Sequence, residues 1–202
     1  MNRRAFLLAS ALALPPVLSL SARTPLHVED AHAAVSVLLS LEELVGASSR
    51  VVVATAGDRY SQWEDLPSGK RIVTYTKLTV ERTVVGSAEP SAEKEIWVRT
   101  LGGVVGKIGQ SVAGEAQIAS GSRSLLFLAQ ARGAVVVTAM AQGHFPIVTD
   151  DKGAARLAPS PDPGLLVPRR GPAISAHERL VGGKLDAALA LVTQARKARD
   201  AK

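Results

Sequence analysis

Cysteine is absent from this sequence of 202 residues, and aromatic residues make up only 3% of it. Without thiols the chain can form no disulfide, cysteine nucleophile, zinc ribbon or iron–sulfur cluster. With so few aromatic side chains we expect no stacking platform for bases or sugars. Of the four histidines, only His144 and His177 follow the N-terminal segment described below, so a histidine-rich metal site is excluded. We therefore predict no catalytic residue, no cofactor and no metal ion.

The length fits one domain with an appendage, and 47% hydrophobic residues are enough to form a normal core. The net charge is +6 at pH 7. Basic residues are interspersed with acidic ones except at the C-terminus. This pattern favours a soluble basic surface over a site for nucleic acid or another anionic polymer.

Residues 1–33 have the features of an export signal. Arg3 and Arg4 precede an apolar run over residues 5–20, and Ala31 and Ala33 form an A-x-A cleavage pattern. The apolar run is short for a transmembrane helix, which needs roughly 20 residues. We predict cleavage after Ala33, no membrane span in the mature chain, and a periplasmic or secreted location in a bacterium.

The start of this segment also resembles the bacterial twin-arginine signal. The matching residues are Arg3, Arg4, Phe6 and Leu7. Asn2 and Leu8 depart from the usual motif. An ordinary Sec signal and an uncleaved membrane anchor remain as alternatives.

Residues 34–158 are predicted to form a mainly β domain. Runs rich in β-branched residues alternate with turn residues, without intervening helices. About seven strands indicate an antiparallel barrel or sandwich. We predict strands at residues 51–56, 71–84, 95–100, 124–128, 134–138 and 144–148, with a last short strand after Gly153 and a loop between Tyr60 and Lys70.

Two capping boxes predict helix starts. Ser40 with Glu43 begins a short N-terminal helix, and Ser175 with Glu178 begins a C-terminal helical tail over residues 173–202. An apolar stripe at helical spacing in the tail consists of Leu185, Ala188, Leu189 and Val192. We expect it to pack on the barrel.

Between the barrel and the tail, residues 159–172 contain five prolines. This density of proline predicts an extended linker rather than a strand or helix.

Residues 101–123 contain six glycines. We interpret this segment as a looped excursion that offers a contact surface to a partner, through Val104, Val105, Lys107 and Ile108. The alternative is a hairpin whose glycines permit close strand packing. A nucleotide site is excluded because three residues, not four, separate Gly102 from Gly106, and Ile108 replaces the Ser or Thr of a phosphate-binding loop.

No catalytic motif is complete. His177-Glu178 begins like a zinc-protease helix, but Val181 occupies the second ligand position. A hydrolase with an unrecognised site would draw on Ser111, His144, Asp150 and Asp151. His144 alone is typical of a structural histidine at a strand end.

The order of several short phrases resembles a group of uncharacterised exported bacterial β-domains. The phrases lie at residues 41–45, 48–55, 63, 84–86, 98–103, 112–118 and 125–128. In some of these proteins a similar domain precedes a matrixin-type zinc protease. Such domains are also similar to OB-type barrels, including metalloprotease inhibitors that chelate zinc with an N-terminal cysteine, which this chain lacks. The resemblance implies an OB-like barrel and transfers no functional residue.

Three functions therefore stay open. The first is a non-catalytic extracytoplasmic β-domain that binds or accompanies a protein or other component of the envelope. The second is a hydrolase with an unrecognised site. The third is a basic barrel that binds nucleic acid or another anionic polymer.

Overall fold

The computed structural model describes residues 35–86, 94–168 and 174–201. Within these residues the strands are β1 Val35–Val37, β2 Arg50–Leu66, β3 Gly69–Val85, β4 Glu95–Leu101, β5 Gly103–Val105, β6 Ile108–Gln110, β7 Arg123–Ala131, β8 Ala134–Val137, β9 His144–Thr149, β10 Ala155–Leu157 and β11 Leu165–Val167. The helices are α1 Leu41–Ala47, α2 Ala176–Leu180 and α3 Leu185–Asp200, and a 3₁₀ helix spans Met140–Gly143.

A long hairpin of β2 and β3, each 17 residues, dominates the fold. The predicted loop between Tyr60 and Lys70 is wrong, because both strands continue to a tight turn after Leu66. Side chains in residues 57–66 are mostly exposed. This arm therefore lacks the alternation of apolar and polar residues by which a half-buried strand is recognised.

Seven strands form the main sheet, in the order β10-β9-β7-β2-β3-β4-β8. Because β8 also pairs with β7, five of these strands close into a ring. The mainly β prediction is confirmed, and the barrel describes the sheet better than the sandwich. The ring has the five strands and partial closure of an OB-type barrel.

One pairing corrects the expectation of a purely antiparallel sheet. β8 runs parallel to β4, with Val98 opposite Val135 and Arg99 opposite Val136. The cause is topological: a closed ring with an odd number of strands cannot alternate in direction at every pair. The ring therefore needs one parallel neighbour, and it lies at the short β4–β8 contact.

Two hydrophobic clusters pack on opposite sides of β2 and β7. Val52 and Leu126 belong to the cluster that β4 and β8 share. Val53 and Phe127 point the other way, into a cluster formed with α1, α2 and α3. Strands buried on both faces show a continuous apolar sequence, as residues 51–54 do.

The helices follow the sequence predictions. The Glu43 backbone N–H donates to Ser40 Oγ at 3.2 Å, and the Glu178 N–H donates to Ser175 Oγ at 3.2 Å, so both capping boxes are formed. In α3 the predicted apolar stripe is buried in the cluster that contains Val53 and Phe127. Among the described residues, no helix is long and apolar enough to cross a membrane.

The proline-rich stretch is more ordered than a simple linker. Leu165–Val167 pairs in parallel with Val35–Val37, so the expectation that residues 159–172 contain no strand is wrong. An extended chain held by proline already has strand-like dihedral angles, and it needs only a free edge to pair.

Candidate functional site

The four predicted contact residues lie together on one hairpin. β5 and β6 pair antiparallel and are joined by a two-residue turn of Gly106 and Lys107. Gly106 has φ 61°, at the position where a II′ hairpin turn prefers glycine. The side chains of Val104 and Ile108 are 66% and 55% exposed, and that of Val105 is half-buried.

The base of this hairpin is fixed to the barrel. The Gly102 N–H donates to the Ile72 carbonyl at 2.8 Å, and Thr74 Oγ1 donates to the Gly102 carbonyl at 2.7 Å. The Ile72 N–H donates to Gln110 Oε1 at 2.8 Å. A side chain at Gly103 would run into the hydroxyls of Thr74 and Ser61. Gly102 and Gly103 therefore permit close strand packing at the base of the hairpin, and its tip lies beyond these contacts.

A cavity of about 330 Å³ lies at the base of the hairpin, between it and the loop that follows. Polar side chains that line it include Arg59, Thr74, Thr100, Gln110, Ser111 and Glu115.

Glu115 is buried in the wall of this cavity. Its carboxylate accepts the Leu101 N–H at 3.1 Å and the Ala116 N–H at 3.0 Å. Burial raises the pKa of the Glu115 carboxyl, and the two backbone hydrogen bonds oppose that shift. We infer an anchoring role for Glu115, which ties the loop to the end of β4.

The residues of the hypothetical hydrolase site do not converge. Ser111 lines the cavity at the hairpin, whereas His144 lines a separate, smaller cavity. Asp150 lies in a turn, where it accepts the Lys152 and Ala154 N–H groups and forms an ion pair with Arg156. Ser111, His144 and Asp150 therefore do not form a catalytic triad in this structure.

His144 is held between two serines instead. Its Nε2 lies 3.1 Å from Ser124 Oγ, and its Nδ1 lies 3.1 Å from Ser160 Oγ. Both serines are buried. Desolvation lowers the pKa of His144 to about 4, so its ring is neutral at pH 7. A buried serine on each side of a neutral histidine has the contacts of a structural hydrogen-bond chain.

The described residues contain no group of three or more histidine, cysteine, aspartate or glutamate side chains that could hold a metal ion. His177 is exposed in α2, and Val181 is the C-cap of that helix. The incomplete zinc-protease motif thus lies at a helix of five residues.

Three of the few aromatic side chains cluster on the sheet. Tyr60, Tyr75 and Trp97 lie together on three adjacent strands, which the low aromatic fraction did not lead us to expect. The rings of Tyr60 and Tyr75 are stacked, with centroids 5.3 Å apart and planes at 18°. Trp97 meets Tyr60 edge-on at 5.4 Å and 62°. A low aromatic fraction does not prevent clustering when strand register places the few rings opposite each other.

The export residues Arg3, Arg4, Phe6 and Leu7 and the cleavage residues Ala31 and Ala33 lie outside the described residues. Compared with known protein families and with curated proteins, the chain matches no family model and no curated protein. The resemblance to exported β-domains therefore stays a prediction.

Proposed function

We propose that this chain is an exported, non-catalytic β-domain that binds a protein partner of the envelope or exterior through the tip of the β5–β6 hairpin. The observation that carries this proposal is the exposure of Val104 and Ile108. Neither side chain belongs to a hydrophobic cluster of the fold. Two large apolar side chains that the core does not use remain available for a contact.

The fixed base of the hairpin supports the same function. Its hydrogen bonds to Ile72 and Thr74 hold the strands in place before any partner arrives. A preorganised loop loses less conformational entropy on binding than a mobile one. Lys107, exposed at the turn between the two apolar residues, favours a partner surface with an apolar pocket and a carboxylate at its rim.

The structure does not support the hydrolase alternative, because Ser111, His144 and Asp150 lie in separate environments. The anionic-polymer alternative rests on the net charge of +6, and several basic side chains, such as Arg99, Arg123 and Arg156, are already paired with carboxylates. We therefore favour partner binding through the hairpin tip as the function of this chain.

Photo-crosslinking in the intact cell tests the proposal. A photoreactive phenylalanine analogue at position 108 is expected to capture a specific partner, which mass spectrometry identifies. The matched control places the same analogue at Gln194, an exposed position of α3, and should not capture that partner. Equal crosslinking at both positions, or none at position 108, would contradict a binding role for the hairpin.

A further inference from the structure

The three clustered aromatic rings occupy one outer face of the barrel. Tyr60 of β2 lies opposite Tyr75 of β3, and Trp97 of β4 lies opposite Lys77, two residues further along β3. Because side chains two apart share a face of a strand, all three rings point to the same side. The chain contains only two tryptophans and two tyrosines, so this face holds three of the four.

The rings are available to a ligand. Tyr60 is 49% exposed and Trp97 is 43% exposed, and neither belongs to a hydrophobic cluster of the core. Contacts among the rings fix their orientation. Large aromatic surfaces of this kind contribute strongly to contacts when a ligand covers them.

Polar groups surround the rings in fixed positions. Tyr75 Oη donates to Glu64 Oε1 at 2.7 Å, and Arg99 donates to Glu64 Oε2 at 3.2 Å. Gln62 Nε2 also donates to Glu64, at 3.1 Å. Burial raises the pKa of the Glu64 carboxyl, but these hydrogen bonds outweigh it, and the net pKa lies below the usual range. Glu64 is therefore an ionised acceptor beside the aromatic face.

The two cations that lie beside the rings, Arg99 and Lys77, are both paired with carboxylates. Arg99 pairs with Glu64, and Lys77 pairs with Glu95 at 2.7 Å. A ligand with a phosphate backbone needs cations that are free to replace its counterions. An uncharged ligand that offers both an apolar ring face and hydroxyl groups matches a balanced set of donors and acceptors better.

We propose that the face formed by Tyr60, Tyr75 and Trp97 binds a neutral carbohydrate. The C–H face of a sugar ring packs on Tyr60 or Trp97, because its hydrogens carry partial positive charge and the ring face is negative. Sugar hydroxyls then donate to Glu64 and accept from Arg99, and charge-assisted hydrogen bonds fix the orientation of the ring.

Isothermal titration calorimetry of the purified mature protein tests this assignment with three probes: cellohexaose, maltohexaose and chitohexaose. At least one is expected to bind, and Trp97→Ala should weaken its binding tenfold or more. Tyr60→Ala provides a second variant with the same expected loss. Both residues are exposed, so circular dichroism should show an unchanged fold.

Trp63→Ala is the matched control. Trp63 is 39% exposed, but it lies three residues after Tyr60 in a stretch of β2 without a register shift, and thus on the opposite face of the arm. The Trp63→Ala variant should bind the sugar as the wild type does. The Ile108→Ser variant should do the same, because the aromatic face is a different site from the hairpin tip.

Three results would overturn the proposal. The first is no binding of any of the three oligosaccharides. The second is an equal loss in Trp63→Ala and Trp97→Ala. The third is that a 15-residue oligothymidylate binds more tightly than every sugar, with an affinity that falls steeply with salt, which would assign the face to nucleic acid.

Discussion

His144 shows how burial decides what a reactive side chain can do. The same imidazole that would be a general base in an open cleft is here enclosed with Ser124 and Ser160 and shielded from solvent. Desolvation disfavours its charged form. The residue is therefore a neutral hydrogen-bonding link between β7, β9 and the chain after β10.

This burial predicts a pH dependence of stability. In the folded protein His144 has a pKa of about 4 against a usual value of 6.5. As the pH falls from 6.5 towards 4, the unfolded state binds a proton that the folded state does not, so the free energy of unfolding decreases, by up to about 3 kcal/mol. Urea unfolding at pH 7.5 and pH 4.5 measures the loss.

His144→Gln removes the titrating ring, and we expect its loss of stability over this pH range to be smaller by roughly 2–3 kcal/mol. The exposed His177 supplies the matched control, and His177→Gln should keep the wild-type loss. If His144→Gln and the wild type lost equal stability, His144 would not be the buried neutral group described above.

Among the helices and strands, features set by residues close in sequence were predictable, and features that depend on pairing between distant segments were not. Ser40 with Glu43 and Ser175 with Glu178 cap helices using neighbours three residues away, so the sequence alone identifies them. The parallel pair of β1 and β11 joins segments far apart in the chain and leaves no local pattern. The aromatic face was not predicted from the sequence for the same reason, since it depends on the register of three strands.

The candidate site was predictable in part. The closely spaced glycines mark this segment as a surface turn, because glycine is typical of turns. The apolar residues Val104 and Ile108 beside them were therefore expected to be exposed, as they are. The anchoring contacts of Ile72 and Thr74 were not predictable, since they come from another strand of the barrel.

Docking of α3 gives a prediction at this scale. Leu189 is buried in the cluster between α3 and the barrel. Leu189→Ala leaves a cavity there and should lower the free energy of unfolding by about 2–4 kcal/mol. Gln194→Ala changes an exposed position of the same helix and should stay within about 0.5 kcal/mol of the wild type. Chemical denaturation compares them, and equal stabilities would show that α3 is not docked through Leu189.

For the whole molecule, the fold covers one part of the barrel and leaves another open. Helices α1, α2 and α3 pack on the side that carries Val53 and Phe127. The β5–β6 tip and the aromatic face remain exposed. A closed ring with few free edges is a rigid support, and binding residues are well placed on loops of such a scaffold.

Export is a prediction about the whole chain. If Arg3 and Arg4 engage a twin-arginine translocase, changing both to lysine should leave precursor in the cytoplasm, because the motif requires guanidinium groups and not charge alone. Immunoblots of cell fractions compare the wild type with the double variant. Normal export of Arg3→Lys/Arg4→Lys would favour the Sec route.

The central claim is that the exposed side chains of the β5–β6 tip serve binding and not folding. The most direct test is a paired measurement on the double variant Val104→Ser/Ile108→Ser: its free energy of unfolding, and its dissociation constant for the partner captured at position 108. We predict a stability within about 1 kcal/mol of the wild type and a dissociation constant at least tenfold higher. A variant that unfolds, or one that folds and binds the partner with unchanged affinity, would contradict the claim.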